Sequence, residues 1–124
     1  MEFVAPTTLD DAYRALAADE ALCLAGGQSL VPMLNFRVVQ PEHLIDLGRI
    51  PELAVLEDTS DGLRIGAMAT QRAIERSALV ERRCPLLIDA LHHVGHQQTR
   101  NRGTIGGSLC QLDPSAELPV TAGA

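Results

Sequence analysis

Residues 99–109 read Thr-Arg-Asn-Arg-Gly-Thr-Ile-Gly-Gly-Ser-Leu, and Asp113 and Pro114 follow them closely. The six positions from Gly103 to Ser108 hold three glycines and two hydroxyl side chains. A backbone of this composition can turn sharply and present its amide groups to a ligand. The stretch therefore predicts a loop that holds phosphate through main-chain N–H groups.

A second stretch, residues 25–30, reads Ala-Gly-Gly-Gln-Ser-Leu and repeats this chemistry. Two such loops, far apart in the chain, could clamp one diphosphate from both sides. The alternative is that both are ordinary tight turns, because glycine pairs mark turns in most proteins. The polar side chains that accompany the glycines favour the binding interpretation: Ser29, Thr104, Ser108 and Asp113.

Neither stretch matches the motifs of common nucleotide sites. A triphosphate loop needs a Lys and a Ser or Thr directly after its last glycine, and both stretches lack that lysine. The G-x-G-x-x-G spacing of dinucleotide-binding Rossmann domains is absent as well. The sequence therefore predicts a diphosphate held by backbone amides without a metal ion.

The composition limits the function further. The chain has 124 residues, of which 46% are hydrophobic and 21% charged, so we expect one domain or part of one. A net charge of −6 and only three aromatic side chains argue against binding to nucleic acid. The three cysteines are widely spaced, as expected of reduced thiols rather than iron–sulfur ligands. The chain has no leader-like segment and no apolar run of membrane-spanning length, so we expect a cytoplasmic protein without membrane insertion.

Hydrophobic periodicity and capping residues predict an α+β order of elements. Residues 1–50 are interpreted as a βαβ-like unit with strands at 3–4, 21–25 and 43–47, a helix over 9–18 capped by Thr8, and a short helix from Leu30. The apolar run 21–25 predicts a strand covered on both faces. Residues 51–124 are interpreted as a second unit. It contains a hairpin with strands at 53–56 and 63–67, a helix capped by Thr70, a helix between Pro85 and Gly95, and a turn of helix after Asp113 that Pro119 keeps short.

Several side chains admit two interpretations. His92 and His96 have the i, i+4 spacing of zinc ligands, but Gly95 is expected to end the helix before His96, which favours solvated histidines. Cys110 follows the second stretch and is either close to a cofactor or a buried, inert thiol. Three arginines can pair with a cofactor phosphate or a partner subunit, or can remain solvated: Arg37, Arg100 and Arg102.

Two longer motifs carry a resemblance to a known family. Residues 25–32 read Ala-Gly-Gly-Gln-Ser-Leu-Val-Pro, and residues 98–119 contain Gln-Thr-Arg-Asn-Arg-Gly-Thr-Ile-Gly-Gly-Ser-Leu and then Asp-Pro-Ser-Ala-Glu-Leu-Pro. Over essentially its whole length, the chain resembles the FAD-binding medium subunit of molybdenum hydroxylases, of the aerobic carbon monoxide dehydrogenase and xanthine dehydrogenase type. Members of that family are considerably longer, so the chain corresponds to their N-terminal portion.

The resemblance implies an α+β FAD-binding domain of the vanillyl-alcohol-oxidase (PCMH) type, which is incomplete in this chain. Residues 1–50 would form the first subdomain, residues 51–124 would begin the second, truncated one, and the flavin would lie between them. By the same likeness, the cofactor-binding residues are Ala25, Gly26, Gly27, Gln28, Ser29 and Leu30 in the first subdomain and Thr104, Ile105, Gly106, Gly107, Ser108 and Asp113 in the second.

The resemblance also implies how the protein works. FAD would relay electrons from two [2Fe–2S] clusters on a small partner subunit to an external acceptor, while a large partner subunit holds the molybdopterin cofactor. The chain would then supply no catalytic residue and no metal ligand of its own. Two alternatives remain: a truncated piece that binds partner subunits without flavin, and a stand-alone FAD oxidase of the same fold.

Overall fold

The computed structural model describes residues 1–111, 113 and 117–123. Its strands are β1 (Glu2–Val4), β2 (Ala21–Leu24), β3 (His43–Asp46), β4 (Leu56–Thr59) and β5 (Gly62–Ile65). Its helices are α1 (Leu9–Leu16), α2 (Leu30–Asn35), α3 (Gln71–Glu75), α4 (Ala78–Arg83), α5 (Pro85–His92), α6 (Gln97–Arg102), α7 (Ile105–Gln111) and α8 (Glu117–Gly123), with a 3-10 helix at Pro51–Ala54. The predicted α+β class is confirmed. Pro114, part of the turn predicted after Asp113, lies outside the described residues.

β3 is the centre of a parallel three-stranded sheet with the order β1-β3-β2. Phe3 of β1 and Leu22 of β2 are both register partners of Leu44. Leu44 and Ile45 are buried. The sequence therefore correctly predicts parallel strands in residues 1–50, and β2 and β3 end together at the carboxyl edge of this sheet.

β2 is less covered than the sequence predicts. Its apolar run predicts burial on both faces, but Leu22 and Cys23 are exposed. β2 is an edge strand, and α1 packs beside it. Hydrophobic side chains are compatible with an exposed position, so the run specifies a strand without specifying how many layers cover it.

Side-chain caps set where several helices begin. Thr8 Oγ1 accepts a hydrogen bond from the Asp11 amide at 3.2 Å, and Thr70 Oγ1 accepts one from the Ala73 amide at 3.1 Å, as predicted. Ser77 caps α4 in the same way, and the sequence analysis did not identify this helix. Six residues leave little periodicity to detect, so the cap is the signal that could have found α4.

The second half of the chain packs around one apolar core. The predicted hairpin is present as antiparallel β4 and β5, with Gly62 at φ +135° beside the turn. The sequence predicts strand at 53–56, but only Leu56 belongs to β4, because the 3-10 helix begins at Pro51. The core is formed by buried apolar side chains of α3, α4, α5 and α8 with one alanine before α3: Ile74, Val80, Leu87, Leu91, Leu118 and Ala69. The division into two subdomains at residue 50 stays a prediction.

The stretch 99–109 is largely helical rather than a loop, so this prediction is wrong. Its first residues complete α6, its last residues belong to α7, and Gly103 and Thr104 connect the two helices. Thr104 Oγ1 accepts a hydrogen bond from the Gly107 amide at 3.1 Å, at the start of α7. Gly106 permits close packing, because a Cβ at this position would lie 2.7 Å from the Cβ of Ala67. Composition does not separate the two uses of glycine, a sharp turn and a close contact.

α8 also departs from its prediction. Pro119 is expected to keep the helical turn short, yet α8 runs from Glu117 to Gly123. Pro119 is the third residue of α8, a position whose N–H has no partner within the helix, so proline removes no hydrogen bond there. No helix in residues 1–111, 113 and 117–123 is long and apolar enough to cross a membrane.

Candidate functional site

The two glycine-containing stretches meet in space. A Cβ built on Gly26 would lie 2.1 Å from the carbonyl oxygen of Arg102 and 2.9 Å from Cα of Gly103. A Cβ built on Gly107 would lie 3.4 Å from Cβ of Ala25. The loop after β2 therefore packs backbone to backbone against the connection between α6 and α7, which is the convergence that the sequence predicts.

A third segment, residues 67–71, holds the second stretch in place. The Ile105 amide donates to the Ala69 carbonyl at 3.2 Å, and the Gly106 amide donates to the Ala67 carbonyl at 2.9 Å. In the opposite direction, the Gln71 amide donates to the Gly103 carbonyl at 2.8 Å. The sequence predicts only the Thr70 cap in this segment, because backbone pairing across about thirty residues leaves no local pattern.

The loop after β2 has free amide groups. Within residues 1–111, 113 and 117–123, no hydrogen bond uses the N–H of Gly26, Gly27, Gln28 or Ser29 as its donor. Two carbonyls of this loop accept backbone hydrogen bonds, Gly27 from the Val31 amide at 3.1 Å and Ser29 from the Met33 amide at 3.3 Å. Gly27 has φ +77°, a conformation that L side chains rarely adopt. A turn with consecutive free main-chain donors suits an anion.

The second stretch differs in this respect, and the prediction that its amides face a ligand is wrong. Besides the amides of Ile105 and Gly106, the Gly107 amide donates to Thr104 Oγ1 and the Ser108 amide to the Thr104 carbonyl. All four donors are therefore used within the protein. Hydrogen bonds at the start of α7 and with residues 67–71 therefore satisfy the N–H groups that the sequence assigns to a ligand.

A cleft of about 480 Å³ lies between the loop after β2 and the α6–α7 connection. Arg49, Asn101 and Arg102 contribute polar side chains to its lining. Asp46, the last residue of β3, also lines it, and its Oδ1 accepts from the Gly48 amide at 2.9 Å. Of these four residues, only Arg102 is a candidate from the sequence, although a carboxylate at the end of a parallel strand is a signal that points to Asp46.

The structure brings together part of the predicted site. Three of the predicted residues line the cleft: Ala25, Gly26 and Thr104. Three continue the loop after β2 and the next begins α2: Gly27, Gln28, Ser29 and Leu30. The first four residues of α7 are not among the residues that line the cleft: Ile105, Gly106, Gly107 and Ser108. Asp113 is exposed between α7 and α8.

Comparison with known proteins identifies the family. The sequence model of the "FAD binding domain in molybdopterin dehydrogenase" matches residues 1–124. The chain belongs to this family. The chain is 42% identical to the "6-hydroxypseudooxynicotine dehydrogenase complex subunit alpha" of Paenarthrobacter nicotinovorans, over 96% of the chain and 41% of that relative. It is 41% identical to the "Carbon monoxide dehydrogenase medium chain" of Hydrogenophaga pseudoflava, over 96% of the chain and 42% of that relative.

Solved structures agree with this family of FAD-binding domains. Quinoline 2-oxidoreductase from Pseudomonas putida 86 superposes with a TM-score of 0.93 at 42% identity, over 96% of the chain and 42% of the matched chain. Carbon monoxide dehydrogenase from Hydrogenophaga pseudoflava superposes with a TM-score of 0.92 at 41% identity, over the same shares of the two chains. The chain thus spans about two fifths of the length of the relatives it matches. The predicted family and its incomplete α+β fold are confirmed.

The arginines of the FAD-binding domain have different surroundings. Arg100 Nε lies 3.1 Å from Glu75 Oε2, and Arg100 Nη1 donates to the Val94 carbonyl at 2.7 Å. Arg100 is therefore held inside the fold, away from the cleft. Arg37 lines a different surface depression next to Met1. Arg102 is the one of the three predicted arginines that lines the cleft.

The histidines flank the connection between α5 and α6. His92 is the last residue of α5, and its Nε2 lies 3.7 Å from a carboxylate oxygen of Glu75. His96 precedes α6, so the two histidines are not on one helix, as the sequence predicts. Across residues 1–111, 113 and 117–123, no group of three His, Cys, Asp or Glu side chains is placed to hold a metal ion.

The three cysteines of the FAD-binding domain are free thiols. Partial burial raises the pKa of the Cys23 thiol above its ordinary value, and the thiol of Cys110 adds to that rise. Cys110 is exposed, so the interpretation of Cys110 as a buried thiol is wrong. A neutral Cys23 near neutral pH is a poor nucleophile, since the thiolate is the reactive form.

Proposed function

We propose that this chain binds FAD and forms the N-terminal part of the FAD subunit of a molybdenum hydroxylase. The observation that carries the proposal is the row of four free amides at Gly26, Gly27, Gln28 and Ser29 beside a cleft that Arg102 lines. Free N–H groups and a guanidinium complement a diphosphate without a metal ion.

The two stretches would contribute to FAD binding in different ways. Residues 25–30 would bind the diphosphate through main-chain donors. Thr104 would line the cleft, and residues 105–108 would support it through packing, because their amides are already used. Asp113, an exposed carboxylate, would accept hydrogen bonds from hydroxyl groups of the cofactor. FAD itself supplies the redox chemistry when bound, and the protein positions it.

The electron relay and the partner subunits belong to the same proposal. The carbon monoxide dehydrogenase relative is named a medium chain, and the nicotinovorans relative is named a subunit of a dehydrogenase complex. By analogy, a large subunit would hold the molybdopterin cofactor, a small subunit would hold the [2Fe–2S] clusters, and FAD would pass their electrons to an external acceptor in the cytoplasm.

Flavin binding tests the proposal directly. We expect the fluorescence of free FAD to be quenched on titration with the purified protein, alone or co-expressed with the partner subunits. Arg102→Ala should weaken binding about tenfold through the loss of a charge-assisted hydrogen bond, whereas Arg82→Ala, at an exposed position of α4, should leave it unchanged. Absence of bound flavin in both the isolated and the co-expressed protein would contradict the proposal.

A second candidate is a subunit-binding piece that holds no flavin. Phe36 and Val38, at the end of α2, are 82% and 68% exposed, and exposed apolar side chains are common where subunits meet. The same experiment separates the two candidates, since this one predicts a complex that contains the chain but no flavin in its visible spectrum.

A further inference from the structure

Two cysteines from distant parts of the chain lie on neighbouring elements. Cys23 is the third residue of β2, and Cys110 is in the last turn of α7. Both thiols are free and exposed, whereas Cys84 is half-buried and packs against the apolar core of the second half of the chain. A soluble reagent therefore reaches Cys23 and Cys110 more easily than Cys84. The proposed function uses none of these thiols.

Two contacts fix the direction of α7 relative to β2. Gly26 lies against the Arg102 carbonyl and Cα of Gly103, and Gly107 lies against Ala25. As one segment advances from residue 102 to residue 107, its neighbour therefore goes back from residue 26 to residue 25. α7 runs back along the end of β2, so its last turn comes next to the residues that precede Ala25.

The spacing within each element places the two cysteines on the facing sides. Cys110 follows Gly107 by three positions, about one turn of helix, so both lie on the same face of α7. Cys23 precedes Ala25 by two positions, which in an extended chain returns a side chain to the same face. Partial burial raises the pKa of the Cys23 thiol and the Cys110 thiol adds to the rise, as expected of neighbouring groups.

The separation of the two elements matches that of a disulfide. A Cβ on Gly107 would lie 3.4 Å from Cβ of Ala25, one turn before Cys110. The Cβ atoms of disulfide-bonded cysteines lie about 3.5–4.5 Å apart. Helix ends fray, so the last turn of α7 can adjust to close the remaining distance between the two sulfur atoms.

We propose that Cys23 and Cys110 form a reversible disulfide when the protein meets hydrogen peroxide, and that this bond links β2 to α7. One thiolate attacks a peroxide oxygen, the O–O bond breaks, and a sulfenic acid and water result once a proton is taken up. The second sulfur then attacks the sulfenic sulfur, so that the S–S bond forms and a second water leaves. In total, the two thiols give up two electrons and two protons, and one hydrogen peroxide becomes two waters.

The disulfide would act next to the loop with free amides. Cys23 lies two positions before Ala25, where that loop begins, so the bond would hold the base of the loop against α7. A bond between residues this far apart in the chain also restricts the unfolded state, so the oxidised protein should have a higher Tm than the reduced protein. The proposal goes beyond FAD binding and does not depend on it.

Peptide mapping tests the proposal. The reduced protein is treated with hydrogen peroxide, its remaining thiols are blocked with iodoacetamide, and it is digested with trypsin without reductant. Cleavage after arginine separates the three cysteines into peptides 15–37, 84–100 and 103–124. We expect a cross-linked species of the first and third peptides, lighter than their sum by two hydrogen atoms and lost on reduction with dithiothreitol. The thiols open to alkylation should fall from three to one per chain.

Three serine variants make the test specific. Cys23→Ser and Cys110→Ser should each abolish the cross-linked species and the rise of Tm on oxidation. Cys84→Ser is the matched control and should keep both. A disulfide that includes Cys84, a disulfide between two copies of the chain, or oxidation to sulfinic acids without a cross-link would overturn the proposal. None of these results would affect the proposed function, which the flavin titration tests separately.

Discussion

Gly26 and Arg102 touch through their backbones, 76 positions apart in the chain. A Cβ on Gly26 would lie 2.1 Å from the Arg102 carbonyl oxygen, closer than real atoms approach. This contact brings the free amides of the loop after β2 to the cleft that Arg102 lines. Position 26 therefore accepts no side chain unless two segments of backbone separate.

Gly26→Ala is expected to destabilise the protein by about 2–3 kcal/mol, because overpacking against backbone is relieved only by moving it. Urea unfolding measures the loss. The matched control is Gly123→Ala in α8, where a Cβ meets nothing within 4 Å and alanine favours helix. Equal stability of the Gly26→Ala variant and wild type would show that the two segments do not touch.

Thr104→Val should cost about 1–2 kcal/mol, since the hydroxyl that accepts from the Gly107 amide is replaced by a methyl group in a buried place. Thr104→Ser keeps the hydroxyl and should recover most of the loss. The free energies of unfolding of the three proteins give the comparison. If Thr104→Ser were no more stable than Thr104→Val, the hydrogen bond from the Gly107 amide would not be the source of the stability.

Arg100→Ala should cost about 2 kcal/mol, because Arg100 and Glu75 are only 15% and 16% exposed and Glu75 would lose the closer of its two basic neighbours, Arg100 and His92. The pair Arg83–Asp58 is the control, with side chains 43% and 52% exposed, and Arg83→Ala should cost less than about 1 kcal/mol. Thermal unfolding distinguishes the two variants. Flavin content per folded protein should be unchanged in both, and a loss confined to Arg100→Ala would place Arg100 at the cofactor.

Alkylation of Cys23 should be slow at pH 7.5 and should accelerate as the pH rises. Partial burial and the thiol of Cys110 raise its pKa, so the thiolate fraction is smaller than in a free cysteine. Cys110→Ser should shift the pH–rate profile to lower pH, because one of the two causes is removed. Mass spectrometry of iodoacetamide-treated protein measures the alkylation of Cys23 at each pH. An unchanged pH–rate profile in Cys110→Ser would show that Cys110 does not affect the pKa of Cys23.

Local patterns in the sequence predict much of the fold. The Thr8 and Thr70 caps and the hairpin at Gly62 depend on residues close together in the chain, and each strand of residues 1–50 appears as a local apolar run. Such features are fixed by backbone geometry and by neighbouring side chains, which a sequence displays directly.

The candidate site is harder to predict because its parts are distant in sequence. The glycines of 103–108 have the composition of an anion-binding loop, yet residues 67–71 and the Thr104 hydroxyl occupy their amides. Residues 67–71 lie outside the stretch, and the presence of Thr104 within it does not reveal that its hydroxyl accepts from the Gly107 amide. Asp46 and Arg49 were missed for the same reason, since only the sheet order places the end of β3 beside Gly26.

The central position of β3 in the sheet affects how the protein folds during its synthesis. Glu2–Val4 and Ala21–Leu24 both pair with His43–Asp46 and not with each other. While the chain emerges from the ribosome, the first two strands have no hydrogen-bonding neighbour until the third has followed them. Parallel pairing over such separations is slow, so the nascent segment exposes unpaired strand edges for longer than a hairpin does. We expect mutations in β3 to lower the yield of folded protein more than equivalent mutations in β4 or β5.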